Sequence, residues 1–328
     1  MPMVEGLVDA LRALADPLRL RMVAILSQEE LAVGELAEVL GMSQPRISHH
    51  LKVLRESGLI RVRREGAWTF CSLMAPGGEN PGPGLLRAME PWANAVTPGP
   101  GDLEKLKQVL EARRERSRSF FEEAAGRWES LEPRFEGSGL RHQALSLLLP
   151  GAAVLADVGC GSGFMAETLA TRASKVILID HSPAMLEKAR AQLGEDKPAV
   201  LEFRVGELDH LPLADNEVDG AFVNLVLHHA PDLKSTLGEL SRAIRPGGAL
   251  VISDLLPHEE DWLREEHADL RLGLEPGELD GLARSAGFTA VRVEGGVDQL
   301  RVRARGGQEA VLPLFVMRAQ KAPQAVSP

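Results

Sequence analysis

The most constraining stretch of this 328-residue chain is the segment 153–169, in which an apolar run ends in a cluster of glycines. The run reaches Asp157, and Gly159, Gly161 and Gly163 follow before a helical pattern begins. Glycine permits positive φ in a tight turn and lets the backbone approach a ligand closely. The helix that follows would offer free N–H groups at its start. The sequence therefore predicts the first strand–turn–helix unit of a nucleotide-binding sheet.

A second unit of the same kind follows. The segment 175–179 predicts a strand that ends at Asp180, and Ser182-Pro183 has the residue types that begin a helix. A carboxylate at the tip of a second strand can accept hydrogen bonds from the two vicinal hydroxyls of a ribose. The glycine spacing alone does not require a ligand, because any tight strand-to-helix turn needs glycine. The second unit is what favours a nucleoside-binding sheet.

These two motifs resemble those of the class I S-adenosylmethionine-dependent methyltransferases, in particular those of methyltransferase type 11. Later landmarks occur in the order of that family, namely Gly206-Glu207, Leu211-Pro212-Leu213, Asp219 and Arg245-Pro246-Gly247-Gly248. The resemblance covers the larger, C-terminal part of the chain. It implies an α/β fold with a Rossmann-like parallel sheet and helices on both faces. The segments 288–294 and 311–318 are predicted to form an antiparallel hairpin at one edge of this sheet.

The resemblance also implies a cofactor, S-adenosylmethionine, or its product S-adenosylhomocysteine, at the carboxyl ends of the strands. The three glycines would let the methionine part lie against the backbone, Asp157 would orient it, and Asp180 would take the ribose hydroxyls. Glu207 and Leu208 would border the adenine. Asn224 would lie near the amino and carboxylate groups of the methionine part, through its backbone.

Two adjacent histidines, His228 and His229, follow the fourth strand at the mouth of the predicted site. Methyl transfer is an in-line displacement at a sulfonium, so the protein mainly positions the acceptor and removes its proton. Either histidine is a candidate base. The alternative, which we favour from sequence, is that one caps the helix beginning near Pro231 and the other packs in the interior. The acceptor is expected to be a small molecule, and arsenite is disfavoured because Cys160 is the single cysteine near the site.

Residues 1–74 have a different pattern, of short amphipathic helices followed by two strands. Helices are predicted over 1–15, from Asp16-Pro17 to Leu26, over 34–40 and from Ser43 to Gly58, and strands over 59–64 and 67–73. Asp16 and Ser43 are typical N-cap residues, and Gly41 and Gly58 are typical helix ends. Two helices joined at a tight glycine turn and followed by a β-hairpin predict a winged helix-turn-helix domain.

The charge pattern of this region favours DNA as its partner. Between Gly41 and Phe70 there are six cations and two anions, whereas the whole chain has a net charge of −10. The residues predicted to contact base edges and phosphates are Ser43, Gln44, Arg46, Ser48, His49 and Lys52 on the fourth helix, with Arg63 and Arg64 on the hairpin. A solvated basic face on a protein-interaction module is the less favoured alternative.

The segments 14–21 and 43–59 resemble the ArsR-type transcriptional repressors, which are dimeric winged-helix proteins. The resemblance implies a homodimer and a double-stranded DNA operator with two half-sites related by two-fold symmetry. Metal sensing is disfavoured, because Ala32-Val33-Gly34 stands where arsenic-sensing members have cysteines and the segment 102–119 contains no histidine. His49 and His50 are adjacent on a helix and point in different directions, so we predict no metal site there or elsewhere.

The segment 75–119 is predicted to be a linker followed by a dimerisation helix. Residues 75–102 contain Pro-Gly-rich runs around a short predicted helix at 85–95. A long helix is expected from Asp102 towards Trp128, with its charged stretch 111–118 facing solvent. Phe120, Phe121, Trp128 and Leu131 are equally well explained as a flap over the cofactor or as ordinary core residues. The predicted domains are thus a DNA-binding domain at 1–74, the linker and helix at 75–119, and a methyltransferase domain at 120–328.

Composition places the chain in the cytoplasm. The N-terminal segment is amphipathic and unlike a signal peptide, and no apolar run approaches the length needed to cross a membrane. The two cysteines, Cys71 and Cys160, form neither a disulfide framework nor a cysteine-based zinc pattern.

We therefore predict an ArsR-family DNA-binding regulator that carries an S-adenosylmethionine-dependent methyltransferase domain acting on a small molecule. Two alternatives remain. In one, the methyltransferase-like domain only senses S-adenosylmethionine or S-adenosylhomocysteine without catalysis. In the other, the winged helix of a methyltransferase only dimerises or binds a partner, which the basic fourth helix argues against.

Overall fold

The computed structural model describes residues 2–65, 68–74, 82, 84–86, 101–125, 148–151, 153–194, 198–304 and 306–323. The chain divides into two compact units, Met1–Arg114 and Glu115–Pro328. The boundary falls inside the long helix that was expected from Asp102. The predicted domain limits at 74 and 119 stay predictions.

The first unit consists of short helices and one small sheet. Its elements are α1 (Pro2–Leu14), α2 (Pro17–Leu26), β1 (Leu31–Ala32), α3 (Val33–Leu40), α4 (Gln44–Glu56), β2 (Ile60–Glu65) and β3 (Trp68–Leu73), followed by α5 (Asp102–Ala125), which continues into the second unit. Strand β3 lies between β1 and β2 and is antiparallel to both. The winged arrangement predicted from sequence is therefore present, with the two-residue β1 as an unpredicted addition.

Local signals in the sequence explain where these helices begin and end. Asp16 caps α2, because its side chain accepts hydrogen bonds from the backbone N–H groups of Leu18 and Arg19 at 2.9 and 3.0 Å. Gly41 ends α3 in the left-handed conformation, with φ of 65°. Ser43 occupies the N-cap position of α4, but its side chain makes no capping hydrogen bond.

One expectation about α5 is wrong. The charged stretch 111–118 was expected to face solvent, but Arg113 is 5% exposed and its Nε donates to Glu35 Oε1 at 2.7 Å. Glu35 also accepts from the backbone N–H of Ala32 at the start of α3. A buried cation is tolerated here because a carboxylate of the same unit pairs with it.

The second unit is a seven-stranded sheet with helices on both faces, as the sequence predicted. Its strands are β4 (Val154–Val158), β5 (Lys175–Asp180), β6 (Val200–Val205), β7 (Val218–Asn224), β8 (Ile244–Leu255), β9 (Phe288–Arg303) and β10 (Glu309–Lys321). Their order across the sheet is β6-β5-β4-β7-β8-β10-β9. The strands β4 to β8 are parallel, and β10 is antiparallel to both β8 and β9.

Two apolar cores cover the two faces of this sheet. The helices are α6 (Phe164–Ala170), α7 (Pro183–Leu193), α8 (Leu233–Ala243), α9 (Trp262–Glu266) and α10 (Pro276–Ser285). Leu155 of β4 packs in one core with residues of α6 and α7, whereas Ala156 and Val158 pack in the other with residues of α8 and α10. This alternation is the period-two pattern of a strand that is buried on both sides.

The edge hairpin is longer than predicted. We expected strands over 288–294 and 311–318, but pairing continues past Gly295 and Gly296 to Arg303. The predicted strand ended at residue 294, before these glycines. In the structure a shift of register opposite Leu314 and Phe315 accommodates them as an irregularity within the strand. Within the described residues, no helix combines the length and apolar composition that crossing a membrane requires.

Candidate functional site

The glycine turn after β4 has the conformation that its sequence predicted. Gly159, Gly161 and Gly163 have φ values of 69°, 52° and 81°. The N–H of Gly159 donates to the carbonyl of Ile179 at 2.8 Å, which ties the turn to β5. A Cβ at Gly159 would lie 2.4 Å from Cγ2 of Val226, so both the backbone conformation and the packing require glycine.

Asp180, at the end of β5, holds this turn in place. Its Oδ2 accepts from the N–H of Gly161 at 2.8 Å, and its Oδ1 accepts from the N–H of Ser182 at 2.9 Å. The side chain is buried, and burial raises its pKa even though the neighbouring His181 and the two N–H groups favour the ionised form. Each carboxylate oxygen can accept a second hydrogen bond, so Asp180 can still bind two hydroxyls.

Two buried oxygen atoms at the ends of neighbouring strands lack partners among the described residues. They are Oδ2 of Asp157 on β4 and Oδ1 of Asn224 on β7. Burial, and next the charge of Asp180, raise the pKa of Asp157 to about 7. Buried polar atoms are almost always hydrogen-bonded, so two orphaned acceptors beside a glycine turn indicate a ligand with N–H donors. The amino group of S-adenosylmethionine fits this requirement.

Glu207, predicted to border the adenine, is paired with a residue that sequence reasoning missed. Arg118 of α5 donates from Nη2 to Glu207 Oε1 at 2.5 Å, and this hydrogen bond raises the pKa of Arg118. Leu208, its predicted companion, is partly buried against the core. The two partners are 89 residues apart in sequence, and the local charge pattern of α5 gave no sign of the contact.

Phe121 connects the cofactor side of the site with the two histidines. Its ring makes edge-to-face contacts with His181, at a centroid distance of 5.3 Å, and with His229, at 5.1 Å. His181 follows Asp180 directly, so this aromatic side chain lies between the end of β5 and His229. Of the other flap candidates, Phe120 contacts Phe121, and Trp128 and Leu131 lie outside the described residues.

His228 is buried between two carboxylates. Its Nδ1 lies 2.6 Å from Asp254 Oδ1, and its Nε2 lies 3.7 Å from Asp269 Oδ1. Burial alone would lower the pKa of His228, but Asp254 and Asp269 outweigh this effect and raise it to about 9. Burial, opposed by His228, raises the pKa of Asp269 to about 7.

His229 has the opposite electrostatic environment. Burial, together with the neighbouring His228, lowers its pKa well below the ordinary value. Its Nδ1 lies 3.2 Å from the carbonyl oxygen of Ala268, which can only accept, so Nδ1 carries the proton of the neutral ring. Ala268 has φ of 59°, a left-handed conformation that is unusual for alanine.

The expectation that one histidine caps a helix is wrong. Helix α8 begins at Leu233, and Asp232 is its N-cap residue, with Oδ1 accepting from the N–H of Lys234 at 2.8 Å. A short carboxylate at this position caps more effectively than a histidine, which is absent from the preferred N-cap residues.

Three of these side chains form a potential metal-ligand cluster. The ligand atoms of His228, His229 and Asp269 all lie within 4.8 Å of one another. The sequence predicted no metal site, and Asp269 comes from the loop between α9 and α10, distant from the histidines in sequence. The adjacent pair His228 and His229 is the part of this cluster that the sequence indicated.

The predicted DNA-contacting residues lie mainly on one exposed surface. The six predicted residues on α4 and its N-cap position are all exposed, namely Ser43, Gln44, Arg46, Ser48, His49 and Lys52, whereas Ile47, Leu51 and Leu54 are buried against the core of the unit. Arg64 of β2 is also exposed. Arg63 differs, because its Nη2 pairs with Glu30 Oε2 at 3.0 Å and its guanidinium lies over the ring of Phe70.

Comparison with known proteins identifies both regions. Residues 16–62 match the model of the bacterial regulatory protein arsR family, and residues 156–252 match the model of the methyltransferase domain. An arsenite methyltransferase of Halobacterium salinarum is 33% identical over 162 residues, which is 46% of this chain and 41% of that protein. A malonyl-[acyl-carrier protein] O-methyltransferase of Serratia marcescens is 32% identical over 137 residues, 42% of this chain and 51% of that protein.

Solved structures of methyltransferases are similar at lower identity. The phosphoethanolamine N-methyltransferase 2 of Haemonchus contortus, solved with S-adenosylhomocysteine, is 16% identical, with a TM-score of 0.48 over 57% of this chain and 53% of that one. The chain spans about half the length, or less, of the curated relatives named above. The chain therefore combines a segment that matches the arsR family model with a segment that matches the methyltransferase domain model.

Proposed function

We propose that this chain is a homodimeric DNA-binding transcriptional regulator whose second unit binds S-adenosylmethionine and transfers its methyl group to a small molecule. The observation that carries the proposal is the pair of orphaned oxygens, on Asp157 and Asn224, beside the glycine turn held by Asp180. Together they offer acceptors for the amino group and the ribose hydroxyls of one nucleoside. Both the DNA and the cofactor are cytoplasmic, so the proposed function belongs in that compartment.

The chemistry of the site follows from positioning. The glycine turn and Asp180 would hold the cofactor, with Glu207 and Leu208 beside the adenine. The acceptor would lie near Phe121 and His229, on the other side of the methyl group. In-line transfer needs close approach and exclusion of water, which a buried, aromatic-lined site provides. His228 and His229 remain the candidate residues on the acceptor side.

The exposed surface of α4 supports the DNA-binding part. Short polar side chains at Ser43, Gln44 and Ser48, together with the cation Arg46, can reach base edges and phosphates. A solvated α4 with a buried inner face is what a recognition helix requires. Arg63, which pairs with Glu30 in the same unit, is expected to contribute less.

An apolar stripe on α1 supports the homodimer. Val4, Leu7, Val8 and Leu11 lie at helical spacing and are 63%, 38%, 38% and 47% exposed. Exposed apolar residues at positions i, i+3, i+4 and i+7 form one face, and such faces are usually covered in the functional assembly. A second copy of the chain is the partner that the proposed two-fold operator requires.

Calorimetric titration of S-adenosylhomocysteine into the full chain tests the cofactor part. We expect one site per chain, and we expect S-adenosylmethionine to compete for it. In a second experiment, S-adenosylmethionine and S-adenosylhomocysteine are added separately to the protein–DNA complex and the DNA affinity is measured. A change in DNA affinity without turnover would favour the sensing function, whereas turnover of an acceptor with unchanged DNA affinity would favour catalysis alone.

A further inference from the structure

We propose that His228, His229 and Asp269 bind a divalent transition-metal cation beside the cofactor site, and that this cation binds an oxygen of the methyl acceptor. The inference deepens the proposed function, because it names the class of acceptor, and it rests on that function. It assigns the two histidines as ligands of a cation instead of proton acceptors.

The spacing of the three side chains fits a single cation. Asp269 Oδ1 lies 3.7 Å from His228 Nε2 and 3.9 Å from His229 Nδ1. Two atoms bound to one cation at about 2.1 Å lie roughly 3.0 to 4.2 Å apart, depending on the angle between the bonds. Both distances fall in this range, and all three ligand atoms lie within 4.8 Å of one another, so small movements of the side chains would bring them to one cation.

The environment of His228 is the one that metal-binding histidines typically have. Its Nδ1 is hydrogen-bonded to Asp254 at 2.6 Å, and Asp254 is itself fixed by the N–H of Leu227 at 2.8 Å. A carboxylate on one ring nitrogen sets the orientation of the ring and directs the other nitrogen to the metal. In His228 that other nitrogen is Nε2, which faces Asp269.

The loop that carries Asp269 is held close to the histidines. The backbone N–H groups of Leu270 and Arg271 both donate to the carbonyl of His228, at 3.2 and 3.0 Å. Ala268 keeps a left-handed φ of 59°, and its carbonyl oxygen lies 3.2 Å from His229 Nδ1. When a cation binds Nδ1, the ring proton moves to Nε2, this hydrogen bond is lost, and the carbonyl oxygen of Ala268 lies beside the cation. Unusual backbone conformations of this kind are concentrated at functional sites.

The ligand set indicates the kind of cation and acceptor. Two imidazoles and one carboxylate suit first-row divalent cations such as Zn²⁺ and Co²⁺, and three protein ligands leave positions open for another molecule. His229 contacts Phe121, whose ring also contacts His181 beside Asp180. The open positions would therefore be close to the proposed cofactor. A hydroxyl bound there would release its proton to water more easily, because the cation stabilises the resulting oxyanion.

Methyl transfer from S-adenosylmethionine to this oxygen requires no further reactant. The acceptor oxygen forms a bond to the methyl carbon as the bond from that carbon to sulfur breaks. The electron pair of the broken bond stays on sulfur, which becomes the neutral thioether of S-adenosylhomocysteine. An acceptor with two neighbouring oxygens that both bind the cation, one of which is deprotonated and methylated, fits this arrangement best.

Metal binding to the full chain tests the proposal. Metal-free protein is titrated with Zn²⁺ in a calorimeter and with Co²⁺ in an absorption spectrometer, and bound metal is counted after dialysis. We expect one equivalent per chain and a Co²⁺ spectrum with nitrogen ligation. Asp269→Asn is expected to weaken binding about 100-fold, and Asp254→Asn about 10- to 100-fold. Asp261→Asn, which removes an exposed carboxylate at the start of α9, should leave metal affinity unchanged.

S-adenosylhomocysteine affinity, measured on every variant, separates the possible results. If Asp269→Asn loses affinity for S-adenosylhomocysteine as well as for the metal, its fold is disturbed. In that case His229→Gln becomes the variant that decides the question. Unchanged metal affinity in the deciding variant would overturn the assignment of the ligands. A wild-type chain that binds S-adenosylhomocysteine but takes up neither cation would overturn this inference and leave the proposed function standing. A chain that binds the cation but not S-adenosylhomocysteine would refute the proposed function instead.

Discussion

The proposed cofactor site and the proposed DNA-binding surface use their side chains in opposite ways. Asp180 and Asp157 are buried, and the contacts of Asp180 with the backbone shape the turn itself. Arg46 and Ser48, in contrast, are exposed on α4, whose stability depends on the buried Ile47 and Leu51. Residues of the first kind are needed for the local fold, whereas residues of the second kind can be changed without disturbing it. The two sites should therefore respond differently to mutation.

The largest effect is expected from Asp180→Ala. The variant removes both acceptors of the ribose hydroxyls and leaves the N–H groups of Gly161 and Ser182 without their partner. Loss of hydrogen bonds to a charged group of this kind costs about 1.5 to 3 kcal/mol, so S-adenosylhomocysteine affinity should fall by roughly 10- to 100-fold. Isothermal titration measures the affinity, and thermal unfolding should show a lower Tm. Affinity equal to that of the wild type would mean that the ribose binds elsewhere.

Arg46→Ala tests the exposed surface by the same logic. We expect promoter binding to weaken by about 1 to 3 kcal/mol in fluorescence anisotropy at fixed salt, with no change in Tm. The matched variant Arg63→Ala breaks the pair with Glu30 and should show a smaller loss of DNA affinity and a measurable loss of stability. The opposite ranking would place the DNA contacts on the hairpin instead of α4.

Cofactor binding should depend on pH because of Asp157. The pKa of its folded, ligand-free carboxyl is about 7, above the ordinary value of 3.8, because of burial. The ionised form is the one that an ammonium group binds, so S-adenosylhomocysteine affinity should rise with pH and level off above about 7, changing about tenfold per unit below it. Asp157→Asn should bind weakly and lose this dependence. A profile that is flat in the wild-type chain would exclude Asp157 as a ligand of the amino group.

The contribution of Asp157 to folding stability depends on pH in the opposite direction to its contribution to cofactor affinity. A carboxyl whose pKa is raised by folding is stabilising when it is protonated, so this contribution decreases as the pH rises through the folded pKa of about 7. Denaturant unfolding of the ligand-free chain at several pH values should show that Asp157→Asn removes this decrease. Bound S-adenosylhomocysteine should also reduce this loss of stability with rising pH in the wild-type chain.

The smallest effect is expected from Arg118→Ala. The Arg118 side chain is 42% exposed and that of Glu207 is 33% exposed, so their ion pair is screened by water. A partly exposed pair of this kind changes an affinity by about fivefold or less. Calorimetry with Arg116→Ala as the control measures the difference. A much larger loss would give Arg118 a direct contact with the cofactor.

Local signals explain what could be predicted from the sequence. The alternation of strands and helices, the glycine turn and Asp180 are set by contacts between neighbours in the chain, so the sheet and its binding edge followed from sequence. The N-cap at Asp16 and the helix end at Gly41 were predicted on the same basis. Such features depend on backbone conformation, which the residue type restricts directly.

Contacts between distant segments could not be predicted in this way. The pairs Arg113–Glu35 and Arg118–Glu207 join residues 78 and 89 positions apart, and the sequence shows only a run of charges on α5. Asp269 reaches His228 from a loop whose course the sequence does not define. The long hairpin strand that passes through Gly295 and Gly296 was missed because pairing with β10 overrides the local preference for a break.

The most direct test of the account is an experimental structure of the full chain with S-adenosylhomocysteine. The account predicts that the ribose hydroxyls contact Asp180 and that the amino group lies within hydrogen-bonding distance of Asp157 and Asn224, over the glycine turn. A nucleoside bound elsewhere, or one that leaves Asp157 Oδ2 and Asn224 Oδ1 without partners, would contradict it.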